Sequence, residues 1–300
     1  MSKPTLLVLA AGMGSRYGGN KQIDGFGPNG ETIIEYSIYD AIRTGFGKVV
    51  FIVRKEILEE VKEKFLPKLE GKIEVEFVLQ SLDSFVPSEY NNPERSKPYG
   101  TAHAVLCAQD VIKEPFAVIN ADDFYGQEAF KVLSQFLSNG VQPNLHCMVG
   151  YELQNVLSEN GTVSRGICET NEENQLLGMV ETTDIGRDGD KIVTKMNGEA
   201  IELAPTAQAS MNCWGFHPSF MEAINDMWSE FLKNNYTNPK SEFYIPTVAN
   251  HLIQENKAAV EILAGGKTWF GVTYTDDKPE VISSLKKLHE EGEYPQNLWN

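Results

Sequence analysis

Three hundred residues, 41% of them hydrophobic and 23% charged, are enough chain for a globular α/β unit with a sizeable core. A formal net charge of −16 argues against a nucleic-acid or anionic-membrane partner, and requires that any anionic ligand be held by a local group of cations against the global field. The four cysteines (Cys107, Cys147, Cys168, Cys213) lie far apart without metal-ligand spacing and the five histidines are scattered, which fits reduced thiols and argues against zinc.

An apolar strand at 6–9 runs into a loop with glycines at 12, 14, 18 and 19, punctuated by Arg16 and Lys21. The apolar run at 6–11 is too short for a signal-peptide core or a membrane span, so the expected setting is cytoplasmic. Glycines after a buried strand let backbone N–H groups approach an anion, and Arg and Lys supply the charge a polyphosphate demands. The dinucleotide fingerprint fails because Tyr17 stands where a Gly is needed. The P-loop fails because Asn20 stands where its Lys is needed. Next, 25–30 reads as a turn, Thr32 as an N-cap, and Ile33, Ile34, Ile38, Ala41 and Ile42 as one face of a helix ended by Gly45 and Gly47. A strand at 49–53, a helix bearing Ile57, Leu58, Val61 and Phe65, and a strand at 74–80 follow. A polar loop at 81–99, a helix at 101–109 and a strand at 116–120 complete the first half.

The second half reads as a helix at 127–137, a strand at 145–151, and paired strands at 164–169 and 176–182. A strand at 211–216, helices at 218–232 and 245–254, a strand at 260–263 and a helix at 278–291 follow. This alternation predicts an α/β fold: a mostly parallel mixed sheet flanked by helices. No linker interrupts it, so one domain is expected over 1–300, with a nucleotide-binding half at 1–130 and an acceptor-binding half at 131–300.

Ligands of such sheets sit at the carboxyl ends of the strands. Three stretches fall there: the opening loop, Gln80, and the 120–126 segment with Asp122 and Asp123. A carboxylate at a strand end beside phosphates suits Mg²⁺, which takes one or two protein carboxylates plus phosphate oxygens. Gly100, Thr101 and Ala102 are small enough for a flat base to approach the backbone, and Gln80 carries both a donor and an acceptor for a base edge.

On these residues the chain resembles the sugar-phosphate nucleotidyltransferases, the NDP-sugar pyrophosphorylases. Their L-A-A-G-x-G-[ST]-R loop and following Lys correspond to residues 9–16 and Lys21. The likeness continues through Gln80, Gly100-Thr101-Ala102 and Asp122, and more faintly to Glu181, 212–216 and 241–243. It implies a Rossmann-like, GT-A-like core and Mg²⁺-dependent nucleotidyl transfer from an NTP to a sugar 1-phosphate. It also implies that Ala10, Ala11, Gly12 and Gly14 contact the nucleotide, with Gln80, Gly100 and Thr101 around the base. By the same likeness Arg16 holds the β- and γ-phosphates, Lys21 meets the α-phosphate, and Asp122 ligates Mg²⁺. Asn212, Glu181 and Glu242 would meet the acceptor.

Departures from the pattern leave alternatives. Only four residues separate Arg16 from Lys21, a spacing nearer to cytidylyl- and guanylyl-transferases. The family's acceptor-phosphate Lys is absent beside Glu181, with Lys195 as a substitute. The second metal Asp is absent after Trp269, with Asp276 or Asp277 in its stead. The favoured substrates are UTP or dTTP and a sugar 1-phosphate. The rivals are a cytidylyltransferase acting on a phosphorylated alcohol and a nucleotide-sugar-binding regulatory subunit. A homo-oligomer is left open.

Overall fold

The four parallel strands of the first half lie side by side in the order β3-β2-β1-β4, so that the opening strand sits centrally. They are β1 (Thr5–Leu9), β2 (Lys48–Val53), β3 (Glu74–Leu79) and β4 (Phe116–Asn120). The computed structural model describes residues 2–12, 24–196, 199–272 and 275–299. Helices α1 (Ile33–Thr44), α2 (Leu58–Leu69), α3 (Thr101–Cys107) and α4 (Gln127–Asn139) cover both faces of the sheet. Alternate side chains therefore enter opposite cores. Leu6 and Val8 join Val49, Phe51 and Val53 against α1, α2 and α4, whereas Leu7 joins Val50 and Ile52 on the other face. Burial on both faces is why these strands read as unbroken apolar runs.

Thr32 starts α1 as the sequence predicts: its N–H donates to Glu35 Oε2 at 2.8 Å, and Gly45, at φ 105°, closes the helix on the carbonyls of Ala41 and Ile42. After the short β5 (Asp123–Phe124) come β6 (Leu145–Glu152), β7 (Val163–Thr170), β8 (Leu176–Asp188), β9 (Lys191–Met196), β10 (Glu199–Leu203) and β11 (Gln208–Phe216). α5 (Phe220–Asn235) and α6 (Ile245–Gln254) complete the second face, before β12 (Ala259–Ala264), β13 (Phe270–Gly271) and α7 (Lys278–Glu290).

β11 is antiparallel to β4 and links the halves. Its register shifts between Ser210 and Trp214, so residues 214–216 pair with β4 while 209–210 pair with β7. The irregularity contains Asn212 at φ 57°, a conformation Asn tolerates better than most side chains. Beyond β7 the sheet continues as an antiparallel meander through β8, β9 and β10. Here the structure exceeds the sequence reading. β8 extends past Thr182 to Asp188, and β9 and β10 were not expected at all. β8 and β10 are largely exposed and β9 is short, burying only Ile192 and Thr194 among its described side chains, so they carry little of the apolar alternation that marks a strand in sequence. A separate aromatic cluster, including Tyr36, Phe124, Phe270 and Tyr294, seats α7 against α1 and the β5–β13 ribbon.

Candidate active site

Beyond the strand ends the ladder persists for one more residue on each element. Ala10 N–H donates to Ile52 O at 2.9 Å, Gln80 N–H to Val53 O at 2.9 Å, and Ala121 N–H to Leu9 O at 3.2 Å. This brings Ala11 and Gly12, Gln80 and Asp122 to one edge of the sheet. They border a cleft of about 690 Å³ that also reaches Gly100 and Thr101. Ala10 stands behind it: its side chain is buried and its N–H is already engaged, so it has no donor to offer a ligand. Gly14, Arg16 and Lys21 lie outside the described residues.

One wall of the cleft is stitched from two distant segments. Phe243 N–H donates to Tyr99 O at 2.6 Å, Ala102 N–H to Phe243 O at 3.0 Å, and Ile245 N–H to Thr101 Oγ1 at 3.1 Å. The Arg95 guanidinium lies 3.7 Å from the Tyr99 ring centroid and donates to Asn238 O, Ser241 O and Ser241 Oγ, clamping the same segments. Glu242, brought to the cleft by this wall, forms an ion pair with Lys97. Burial, then the neighbouring Glu242, pushes the Tyr244 hydroxyl up to about 12. Gln80 Nε2 lies 3.1 Å from both Gly100 O and His103 Nδ1, so its donor end is engaged within the protein.

The tandem acids divide. Asp122 borders the cleft, whereas Asp123 turns inward, its Oδ2 accepting from Asn120 Nδ2 at 2.9 Å and Tyr125 OH at 3.3 Å. Gly271 packs so closely on Asp123 that a Cβ there would stand 2.5 Å from Oδ1. Asn212 donates to Asn120 Oδ1 at 2.7 Å and accepts from Trp214 Nε1 at 3.1 Å, so the bulge in β11 braces the strand end that carries both acids.

Other expected residues are not brought to the cleft wall. Glu181 lies on β8 opposite Gly166, its carboxyl held up by desolvation with Arg165 pulling it down. Lys195 is exposed on β9, paired with Ala200 of β10, because the unforeseen meander carries it outward. Asp276 is exposed in a 3₁₀ turn before α7, while Asp277 beside it is buried and accepts from Asn160 Nδ2 at 2.8 Å. Lys97 and Lys240 line the cleft, and sequence reasoning missed both. They are isolated cations in polar loops, with no motif to mark them. Among the described residues no group of three or more His, Cys, Asp or Glu side chains is arranged to hold a metal.

Residues 7–181 match the family model described as Nucleotidyl transferase. The chain belongs to the nucleotidyl transferase family. This nucleotidyltransferase shares its fold with the inositol-1-phosphate CTP transferase from T. maritima, with a TM-score of 0.62 and 14% identity over 95% of this chain and 97% of that one. No curated protein matches it. No helix among the described residues of the nucleotidyltransferase is long and apolar enough to cross a membrane.

Proposed function

We propose that the protein transfers a nucleotidyl group from UTP or dTTP to a sugar 1-phosphate, releasing pyrophosphate. The observation that carries this reading is the single cleft bordered by Gly12, Gln80, Gly100 and Asp122, at the carboxyl ends of three parallel strands. In this reading residues up to about 130 serve the nucleotide and the remainder serve the acceptor.

An acceptor phosphate oxygen attacks the α-phosphorus in line, forming the new P–O bond as the bond to the β-phosphate breaks and pyrophosphate departs. The acceptor phosphate is ionised near neutrality, so no general base is needed and catalysis rests on alignment and charge stabilisation. Gly12 offers close backbone approach to the triphosphate. Arg16 holds the β- and γ-phosphates, and Lys21 neutralises charge developing at the α-phosphate. Mg²⁺ fits this donor set, because an ion carried by the triphosphate needs only one or two protein carboxylates and Asp122 is one. When bound, the metal would neutralise the reacting phosphates. Asp276 and Lys195 have no part in this reading. Lys97 and Lys240 add positive charge beside Glu94, Asp122 and Glu242 of the cleft's described lining, and Asn212 acts through Asn120 by bracing the strand end.

A second reading, CTP with a phosphorylated alcohol, is favoured by the short Arg16–Lys21 spacing and agrees with the fold shared with a CTP transferase. Pyrophosphate release with Mg²⁺, each common NTP, and a panel of sugar 1-phosphates and alcohol phosphates separates the two. Turnover of UTP or dTTP with a sugar 1-phosphate is expected. Turnover confined to CTP and an alcohol phosphate favours the second reading. No release from any pair, with nucleotide-sugar still bound, overturns both.

A further inference from the structure

His103, in the first turn of α3, is wholly buried. Its ring stacks on Trp228, with centroids 4.7 Å apart, and meets Tyr99 edge-on at 5.3 Å. Its Nε2 lies 2.8 Å from Ser84 O. A carbonyl oxygen can only accept, so Nε2 carries the ring proton. Burial pushes the imidazole down to about 4, so the ring is neutral near pH 7 and Nδ1 is a bare acceptor.

One terminal atom of the Gln80 amide lies 3.1 Å from this Nδ1 and 3.1 Å from Gly100 O. Both neighbours are acceptors, so that atom must be the NH₂ nitrogen, with its two protons committed. The carbonyl oxygen of Gln80 has no protein partner among the described residues, and Gln80 borders the cleft. A Gln amide read from sequence offers a donor and an acceptor; this one has only its acceptor left.

We propose that His103 is a positioning residue that locks the Gln80 amide with Oε1 towards the cleft, so that nucleotide choice depends on an N–H donor at the base edge. The inference rests on the nucleotidyl-transfer reading above. Uracil and thymine offer N3–H to such an acceptor, and cytosine offers its amino group. With the lock removed, the amide can rotate and present NH₂ instead, accommodating bases that place an acceptor there. A site that leaves a buried polar group unpaired rejects the wrong ligand, and this rejection is what the lock preserves.

The test compares His103→Phe and His103→Asn with the wild type, measuring kcat and KM for the preferred NTP and for the next-best NTP. Phe keeps the stack on Trp228 but has no ring nitrogen, whereas Asn carries an acceptor oxygen close to the place of Nδ1. For His103→Phe, KM for the preferred NTP is expected to rise about tenfold, the preference to fall about tenfold, and kcat to change little, as for loss of one hydrogen bond. His103→Asn is expected to keep the preference. A folded Phe variant with undiminished preference, or an Asn variant that loses it as fully as Phe, overturns the proposal.

The lock has a second readout that needs no activity and no variant: the ¹⁵N spectrum of the wild-type side chains. A neutral Nε2–H tautomer at His103 and a slowly exchanging Gln80 NH₂ support it. An Nδ1–H tautomer overturns it. If the wild type turns over no NTP, the nucleotidyl-transfer reading fails, and the spectrum still decides the lock.

Discussion

The carbonyl oxygen of Phe243 lies 2.6 Å from where a Cβ on Gly100 would stand, and Gly100 itself is at φ 101°. Both facts demand glycine, because a side chain would be strained by its backbone and would collide with a backbone atom that cannot swing away. Gly100→Ala is therefore expected to cost about 1–3 kcal/mol or more, and to loosen the wall that brings Glu242 to the cleft. Thermal unfolding and the KM for nucleotide check this together: a fall in Tm accompanied by a rise in KM is the expected pair.

Asn212 does two things, and two substitutions separate them. Asn212→Gly removes both side-chain hydrogen bonds but suits φ 57°. Asn212→Ala removes the same bonds and adds backbone strain. Trp214 is fully buried, so losing the acceptor for its Nε1 leaves an unsatisfied donor at about 1–3 kcal/mol. Urea denaturation is expected to rank wild type above Gly, and Gly above Ala by about 1 kcal/mol.

Stability falls with acid through two histidines. Desolvation pushes both His103 and His146 down to about 4, the latter with help from His217. In the unfolded chain they titrate near the ordinary 6.5. Between pH 6.5 and 4 the unfolded state therefore binds protons that the folded state refuses, and the stability these residues contribute above pH 6.5 is lost as pH drops. Asp40 works the other way. Burial raises it from 3.8 to about 7 against the pull of Arg43 and Tyr294, so the folded state gains protons first as pH drops through 7. Asp40→Asn removes this opposition. Chemical unfolding at pH 6.5, 5.5 and 4.5 is expected to show a steeper loss in the variant than in the wild type.

The Lys97–Glu242 pair tests charge in the cleft with little disturbance of the fold. Lys97 is half exposed, so Lys97→Ala is expected to change stability by under about 1 kcal/mol. Nucleotide affinity is expected to fall severalfold at low salt and to converge on that of the wild type as salt rises. Titrations at two ionic strengths read this directly.

Much of the scaffold was legible. The unbroken apolar runs of β1, β2 and β4 announce strands buried on both faces, and Thr32 and Gly45 mark the two ends of α1 by their own chemistry. From strand order alone, Gln80 and Asp122 could be assigned to one edge of the sheet. The division between Asp122 and Asp123 was not legible. Adjacent acids look alike in sequence, and only the β5–β13 ribbon with the Asn212–Asn120 brace turns Asp123 inward. Lys97 and Lys240 were hidden because they belong to loops distant in sequence, brought together by tertiary contacts such as those of Arg95 and the Tyr99–Phe243 stitching. Lys195 misled because the exposed meander that carries it has no apolar period to announce it.

The most direct test of the account is Mg²⁺-dependent pyrophosphate release by Asp122→Asn, measured beside Asp123→Asn and Lys21→Ala with the NTP–acceptor pair that the wild type prefers. Asp122→Asn is expected to lose about a hundredfold or more in rate, as when a preorganised charged group is removed from a phosphate site. Lys21→Ala should match it, and Asp123→Asn should lower Tm. An Asp122→Asn protein that releases pyrophosphate at the wild-type rate would contradict the account, because the cleft between β1, β3 and β4 would then not be where the reaction takes place.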